Sequence, residues 1–80
     1  MYRVYVLKQR RGGSEVVTAT RTQTPSFSAA AAAFWELYDA DYDGSHILLM
    51  SRDNRQLNAY RFGTAPGDRD YLAPNAELAQ

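Results

Sequence analysis

Residues 39–46 read Asp-Ala-Asp-Tyr-Asp-Gly-Ser-His, and three alternate carboxylates followed by glycine are how many calcium loops begin. An EF-hand loop takes oxygen ligands from positions 1, 3 and 5, glycine at 6, a backbone carbonyl at 7 and a bidentate glutamate at 12. Counted from Asp39, the first four requirements are met by Asp39, Asp41, Asp43 and Gly44. Position 8, usually apolar, is His46, and position 12 is Met50, whose thioether is no hard bidentate ligand. The expectation is therefore no bound metal and no cofactor, a shorter loop with another closing ligand being the alternative. The blander reading is the solvated end of a helix, with Gly44 turning the chain back. Carboxylates at a helix C-terminus oppose its dipole, so helix stability does not explain them. That leaves solvation, or recognition of a basic partner by Asp39, Asp41 and Asp43.

His46 is the only histidine. General acid–base chemistry requires a nucleophile or a second acid held in geometry beside it. Ser45 and Asp43 are near only along the chain, and no serine-centred glycine elbow occurs. Gly12-Gly13 is followed by neither Gly-Lys-Ser/Thr nor a helix, so it is not a phosphate loop. Tyr2, Tyr5 and Tyr60 suit base stacking on a sheet, and suit half-buried strand positions equally, without the glycine-aromatic motif of RNA-binding sheets. The chain reads as a binding protein and not an enzyme.

The basic residues are the stronger signal. Eight of the nine are arginine, Lys8 being the one lysine. Lys8, Arg10 and Arg11 gather at one expected turn, and Arg52 and Arg55 at another. Arg3, Arg21 and Arg61 fall within strands, where alternation can bring them to an uncovered face. Guanidinium groups make forked contacts with carboxylates and phosphates, whereas a surface made only for solubility uses more lysine. A GC-rich genome would produce the same arginine and alanine bias for no physical reason. Lys8, Arg10, Arg11, Arg52, Arg55 and Arg61 are the binding candidates, with Asp39, Asp41 and Asp43 secondary.

The elements that must carry these residues follow from periodicity. Tyr2 to Gln9 alternates as a strand, with Val4 and Val6 on one face and Arg3, Tyr5 and Leu7 on the other. Arg10 to Ser14 is a turn, and Glu15 to Thr24, rich in valine and threonine, is the returning strand. Pro25 ends it, and Ser26 or Ser28 caps a helix over 27–40. Helical spacing aligns Phe27, Ala30, Ala31, Phe34, Leu37 and Tyr38, with Trp35 at the edge of the stripe. His46 to Arg52 is the third strand, residues 52–56 a polar turn and Leu57 to Phe62 the fourth strand. Tyr71-Leu72 is a candidate short edge strand, and Ala76 to Gln80 a frayed tail. The order β-β-α-β-β specifies an α+β fold, a four- to five-stranded antiparallel sheet with one helix on one face. The domain occupies 1–63; residues 64–80 are a loop, the candidate edge strand and the tail.

Bulk properties exclude several classes. Eighty residues make one domain. Without cysteine there are no disulfides and no thiolate metal sites. No apolar stretch approaches the roughly 20 residues of a membrane helix, and Met-Tyr-Arg-Val-Tyr-Val is not a signal peptide, so a cytoplasmic protein is expected. A formal net charge of zero argues against bulk attraction to nucleic acid as the main mode of action.

A small cysteine-free chain whose first residue opens a strand, with Ser26-Phe27-Ser28 starting a single helix between two hairpins, resembles phage-encoded anti-CRISPR proteins of the sheet-plus-one-helix type. The resemblance covers residues 1 to about 62 in the order and length of elements, and no specific motif carries it. It implies a non-enzymatic inhibitor in a bacterial host. Such proteins bind the Cas7-type or neighbouring subunits of a type I crRNA-guided surveillance complex (Cascade) and block or misdirect target DNA binding. Neutral charge separates this chain from acidic DNA mimics and fits a steric blocker with mixed-charge contacts. A small nucleic-acid-binding accessory protein of a phage or mobile element is the alternative.

Overall fold

The computed structural model describes residues 1–63 and 67–72. The chain folds as β1 (Tyr2–Arg10), β2 (Gly13–Val16), a short 3-10 helix (Thr18–Thr20), β3 (Thr22–Thr24), α1 (Phe27–Tyr38), β4 (His46–Arg52), β5 (Arg55–Phe62) and β6 (Arg69–Tyr71). All six strands form one antiparallel sheet in the order β2-β1-β4-β5-β6, with β3 also on β1. This is the expected α+β class, with a strand count raised by one division. The segment 15–24 is not one strand. Leu7 pairs with Val16 and Val4 with Thr22, so five residues of the returning chain face two of β1. The extra length is taken up by the 3-10 helix. Buried Thr20 replaces the missing ladder partner: its Oγ1 accepts the Val6 N–H at 2.9 Å and donates to the Val17 carbonyl at 2.6 Å. A buried N–H left unpaired costs about 1–3 kcal/mol, which is why the insertion needs a threonine there.

The helix starts where expected. Ser26 caps it, accepting the Ala29 N–H at 3.2 Å. Its buried residues are Ala30 and Phe34, which meet Val4, Val6, Leu48, Met50 and Phe62. Small alanines let α1 lie close over β1, β3 and β4. Of the expected stripe only Ala30 and Phe34 are fully buried, and Phe27, Ala31, Leu37 and Tyr38 differ. Phe27 is 58 % exposed, with its ring edge-on to that of Tyr2 at 5.6 Å between centroids. Leu37 is half-buried on the core's margin.

The helix ends at Tyr38, short of the expected Ala40, and not through Gly44, which has no positive φ. Its end is closed from the far part of the chain. The Arg69 guanidinium donates to the Tyr38 carbonyl at 2.9 Å and the Ala40 carbonyl at 3.0 Å. It also lies 4.4 Å over the Phe62 ring. A cation here complements the dipole that Asp39, Asp41 and Asp43 oppose. Arg69 thus makes β6 part of the domain, which does not stop at residue 63. The edge strand is Arg69–Tyr71, starting two residues before the expected Tyr71-Leu72 and ending one before it, although the Leu72 N–H still bonds the Ala59 carbonyl at 2.9 Å. The tail expected at 76–80 lies outside the described residues.

The turn between β4 and β5 is tighter than the polar turn expected at 52–56. Asp53 and Asn54 both have positive φ, 50° and 68°, the backbone of a two-residue hairpin. Arg52 and Arg55 are therefore strand residues placed directly opposite each other.

Candidate functional site

The antiparallel register decides which basic residues can act together. β1 carries Lys8 and Arg10 at one end and pairs Tyr2 with Arg52 at the other. Eight steps along β1 at about 3.3 Å each put the two hairpin tips roughly 26 Å apart. Lys8, Arg10 and Arg11 thus occupy one pole, and Arg52 and Arg55 the opposite one. Arg61, although on the second hairpin, belongs with the first pole. It pairs with Ile47, which pairs with Leu7, and its Nη1 donates to Gln9 Oε1 at 2.6 Å across the β4 row.

The acidic loop lies at that first pole too. His46 pairs with Lys8, and the Gln9 N–H donates to the Ser45 carbonyl at 2.7 Å, fastening the loop to β1. Asp39, Asp41 and Asp43 are all exposed. One end of the sheet therefore carries guanidinium, ammonium and carboxylate groups, with Lys8 and Arg10 on the α1 side of β1 and Arg61 on the opposite face with Gln9. Some of that charge is matched internally, since Arg10 Nε sits 3.2 Å from Glu15 Oε2. At the far pole, Arg52 stands opposite Arg55, with Asp53 at 3.7 Å and the Tyr2 ring at 5.5 Å beside it. Like charges directly opposite are unfavourable, and the local acid and ring offset part of that cost.

Within the loop, Asp43 works as a clasp. Its Oδ1 accepts the Ser45 hydroxyl, the Ser45 N–H at 2.9 Å and the His46 Nδ1–H at 2.9 Å. A carboxylate only accepts, so Nδ1 carries the hydrogen. The Ser45 hydroxyl bond, then its N–H, then His46 hold the Asp43 carboxyl down to a pKa of about 2. The arrangement differs from a hydrolase triad, in which acid and nucleophile bind opposite ring nitrogens. Here Ser45 and Asp43 meet the same nitrogen, Ser45 Oγ at 3.4 Å from Nδ1, and the serine proton is given to the aspartate. His46 is buried, with Tyr42 packed on it at 4.8 Å between ring centroids. Among the described residues, no group of three histidines, cysteines or acids is placed to hold a metal ion. Met50, at the closing position of a calcium loop, is buried in β4.

Sequence reasoning singled out the tips and underrated the open face of the sheet, away from α1. Arg3 lies there between Gln23 of β3 and Ser51 of β4, and Arg21 lies two residues before Gln23. Both are exposed, and neither is paired with a carboxylate among the described residues. Alternation pointed to both as open-face residues without making them binding candidates; only the structure puts them at one cleft. Among the described residues no helix is long and apolar enough to cross a membrane. No protein-family model matches this chain, and no curated protein or solved structure matches it either.

Proposed function

We propose that this chain is a non-catalytic inhibitor of the anti-CRISPR kind, acting in the cytoplasm of a bacterial host. It binds a type I crRNA-guided surveillance complex at a Cas7-type or neighbouring subunit and obstructs target DNA binding. The observation that supports this reading is the mixed-charge pole: Lys8, Arg10, Arg11 and Arg61, with Asp39, Asp41 and Asp43 in the adjoining loop, gathered at one end of the sheet. Opposite charges interleaved on a fixed frame suit a protein surface of complementary pattern, where they set register and exclude wrong partners. A hydroxyl committed to Asp43 and a buried histidine leave that loop a structural part of the pole.

The test is stoichiometric co-purification with type I complexes, followed by target-DNA association. Arg10→Glu/Arg11→Glu and Asp39→Lys/Asp41→Lys should each weaken binding by about 2–5 kcal/mol if the contact is desolvated. Arg52→Glu/Arg55→Glu, at the far pole, is the internal comparison. Inhibition unchanged in both first-pole variants, with folding intact, overturns the reading.

A second reading, a small nucleic-acid-binding accessory protein, is favoured by one separate observation: Arg3 and Arg21 are exposed and, among the described residues, have no acidic partners. Its mark is direct nucleic-acid affinity that falls steeply with added salt.

A further inference from the structure

The division of the returning strand leaves an opening in the sheet edge. Between β2 and β3 a cleft of about 480 Å³ is lined by Arg3, Tyr5, Val16, Arg21 and Gln23. That volume lies within the roughly 300–1,000 Å³ of small-molecule sites. Beside it, Thr20 ties the insertion to β1 through the Val6 N–H. The residues opposite Arg3 are neutral, Gln23 on one side and Ser51 on the other. Arg21, in extended conformation, occupies the position diagonal to Arg3. Diagonal neighbours in an antiparallel pair lie roughly 7–8 Å apart, a span that one tetrahedral anion can bridge. Two cations share one cleft, and the protein supplies no counter-charge there among the described residues. Tyr5 offers a half-buried ring and Val16 an apolar wall beside them.

We infer that this cleft binds a phosphate ester, the phosphate held between Arg3 and Arg21 and its organic part against Tyr5 and Val16. Guanidinium forks match phosphate oxygens bidentately, and a ring beside them accepts a planar or apolar group. The site is on the open face and stands independently of the charged pole, so failure of either proposal leaves the other intact.

Amide and arginine side-chain NMR shifts, followed during titration at about 0.15 M salt, read the site directly, since exposed charges beyond roughly 8 Å are then screened. The probes are a nucleoside 5′-monophosphate, the unphosphorylated nucleoside, inorganic phosphate and a short single-stranded oligonucleotide. The monophosphate should give saturable shifts centred on Arg3, Tyr5, Arg21 and Gln23, and the nucleoside none. Inorganic phosphate should bind the same residues at least tenfold more weakly, lacking the contact with Tyr5. Arg3→Gln and Arg21→Gln should each weaken the monophosphate at least tenfold, while Arg55→Gln leaves it unchanged. Both arginines are exposed, so the variants should fold. An oligonucleotide that binds tighter than the monophosphate, and is lost in the same two variants, identifies a nucleic-acid strand as the source of the phosphate. The reverse order identifies a small ester. Shifts spread over every arginine without saturation, or undiminished binding by both variants, overturn the site.

Discussion

The two faces of the sheet bury apolar side chains by different means. On one face Val4, Val6, Leu48, Met50 and Phe62 lie under Ala30 and Phe34 of α1. On the other, Ile47, Leu49 and Ala59 are as deeply buried, with no helix above them among the described residues. They are packed with Tyr5, Leu7 and Leu72, and Arg61 reaches over the β4 row to Gln9. Long polar side chains cover apolar surface with their stems while their heads stay in water. A face closed by an element is specialised for stability. The other face carries guanidinium groups at its surface, Arg3 among them. Arg61 is part of that cover.

Core truncations should show the contrast most sharply. Phe34→Ala removes a 1 % exposed ring from beneath the helix, and should lower unfolding free energy by about 3–5 kcal/mol in denaturant melts. A loss under about 1 kcal/mol would break the assignment of the helix-covered face as the main core. Ile47→Ala, equally buried on the other face, should cost about 2–3 kcal/mol, at the low end for isoleucine because rim side chains can collapse into the space. An equal or larger loss than Phe34→Ala would erase the distinction between the two faces.

The junction between them is Thr20. Thr20→Val keeps the shape but strands the Val6 N–H, and should cost about 1–3 kcal/mol. Faster hydrogen exchange at Val6 would accompany the loss, and an unchanged melt with unchanged exchange would mean the insertion does not hold the cleft. The smallest effect is pH-dependent. Asp43 has a folded pKa lowered from 3.8 to about 2, so its contribution to stability is fully present above about pH 4 and disappears as pH falls through about 2. Asp43→Asn should flatten the acid limb of the stability profile over that window and leave the open-face arginines' behaviour unchanged. An identical acid limb in the variant would remove Asp43 from the account.

Much of the architecture was legible because it depends on local pattern. Alternation of Val4 and Val6 against Arg3, Tyr5 and Leu7 assigns β1's faces as the structure has them. The alanine run after Ser26 makes the helix and its cap. The interruption at 18–20 was hidden, since Thr-Ala-Thr-Arg-Thr has the composition of a strand, and only register with β1 shows the surplus residues. The two-residue turn at Asp53-Asn54 was hidden for a similar reason: asparagine and aspartate permit positive φ without requiring it.

The sequence by itself determined the α+β class, the helix, the two faces of β1 and the wealth of arginine. These follow from periods of 2 and 3.6 residues, which are written within one segment. Tertiary structure alone decided which charges share a surface. Antiparallel register sends Arg52 and Arg55 about 26 Å from Arg11 while bringing Arg61 back to Gln9. It also gave Arg69 to the end of a helix some 30 residues earlier, and set Arg3 beside Arg21 at one cleft. Such pairings depend on how separate segments align, and no local pattern encodes that alignment.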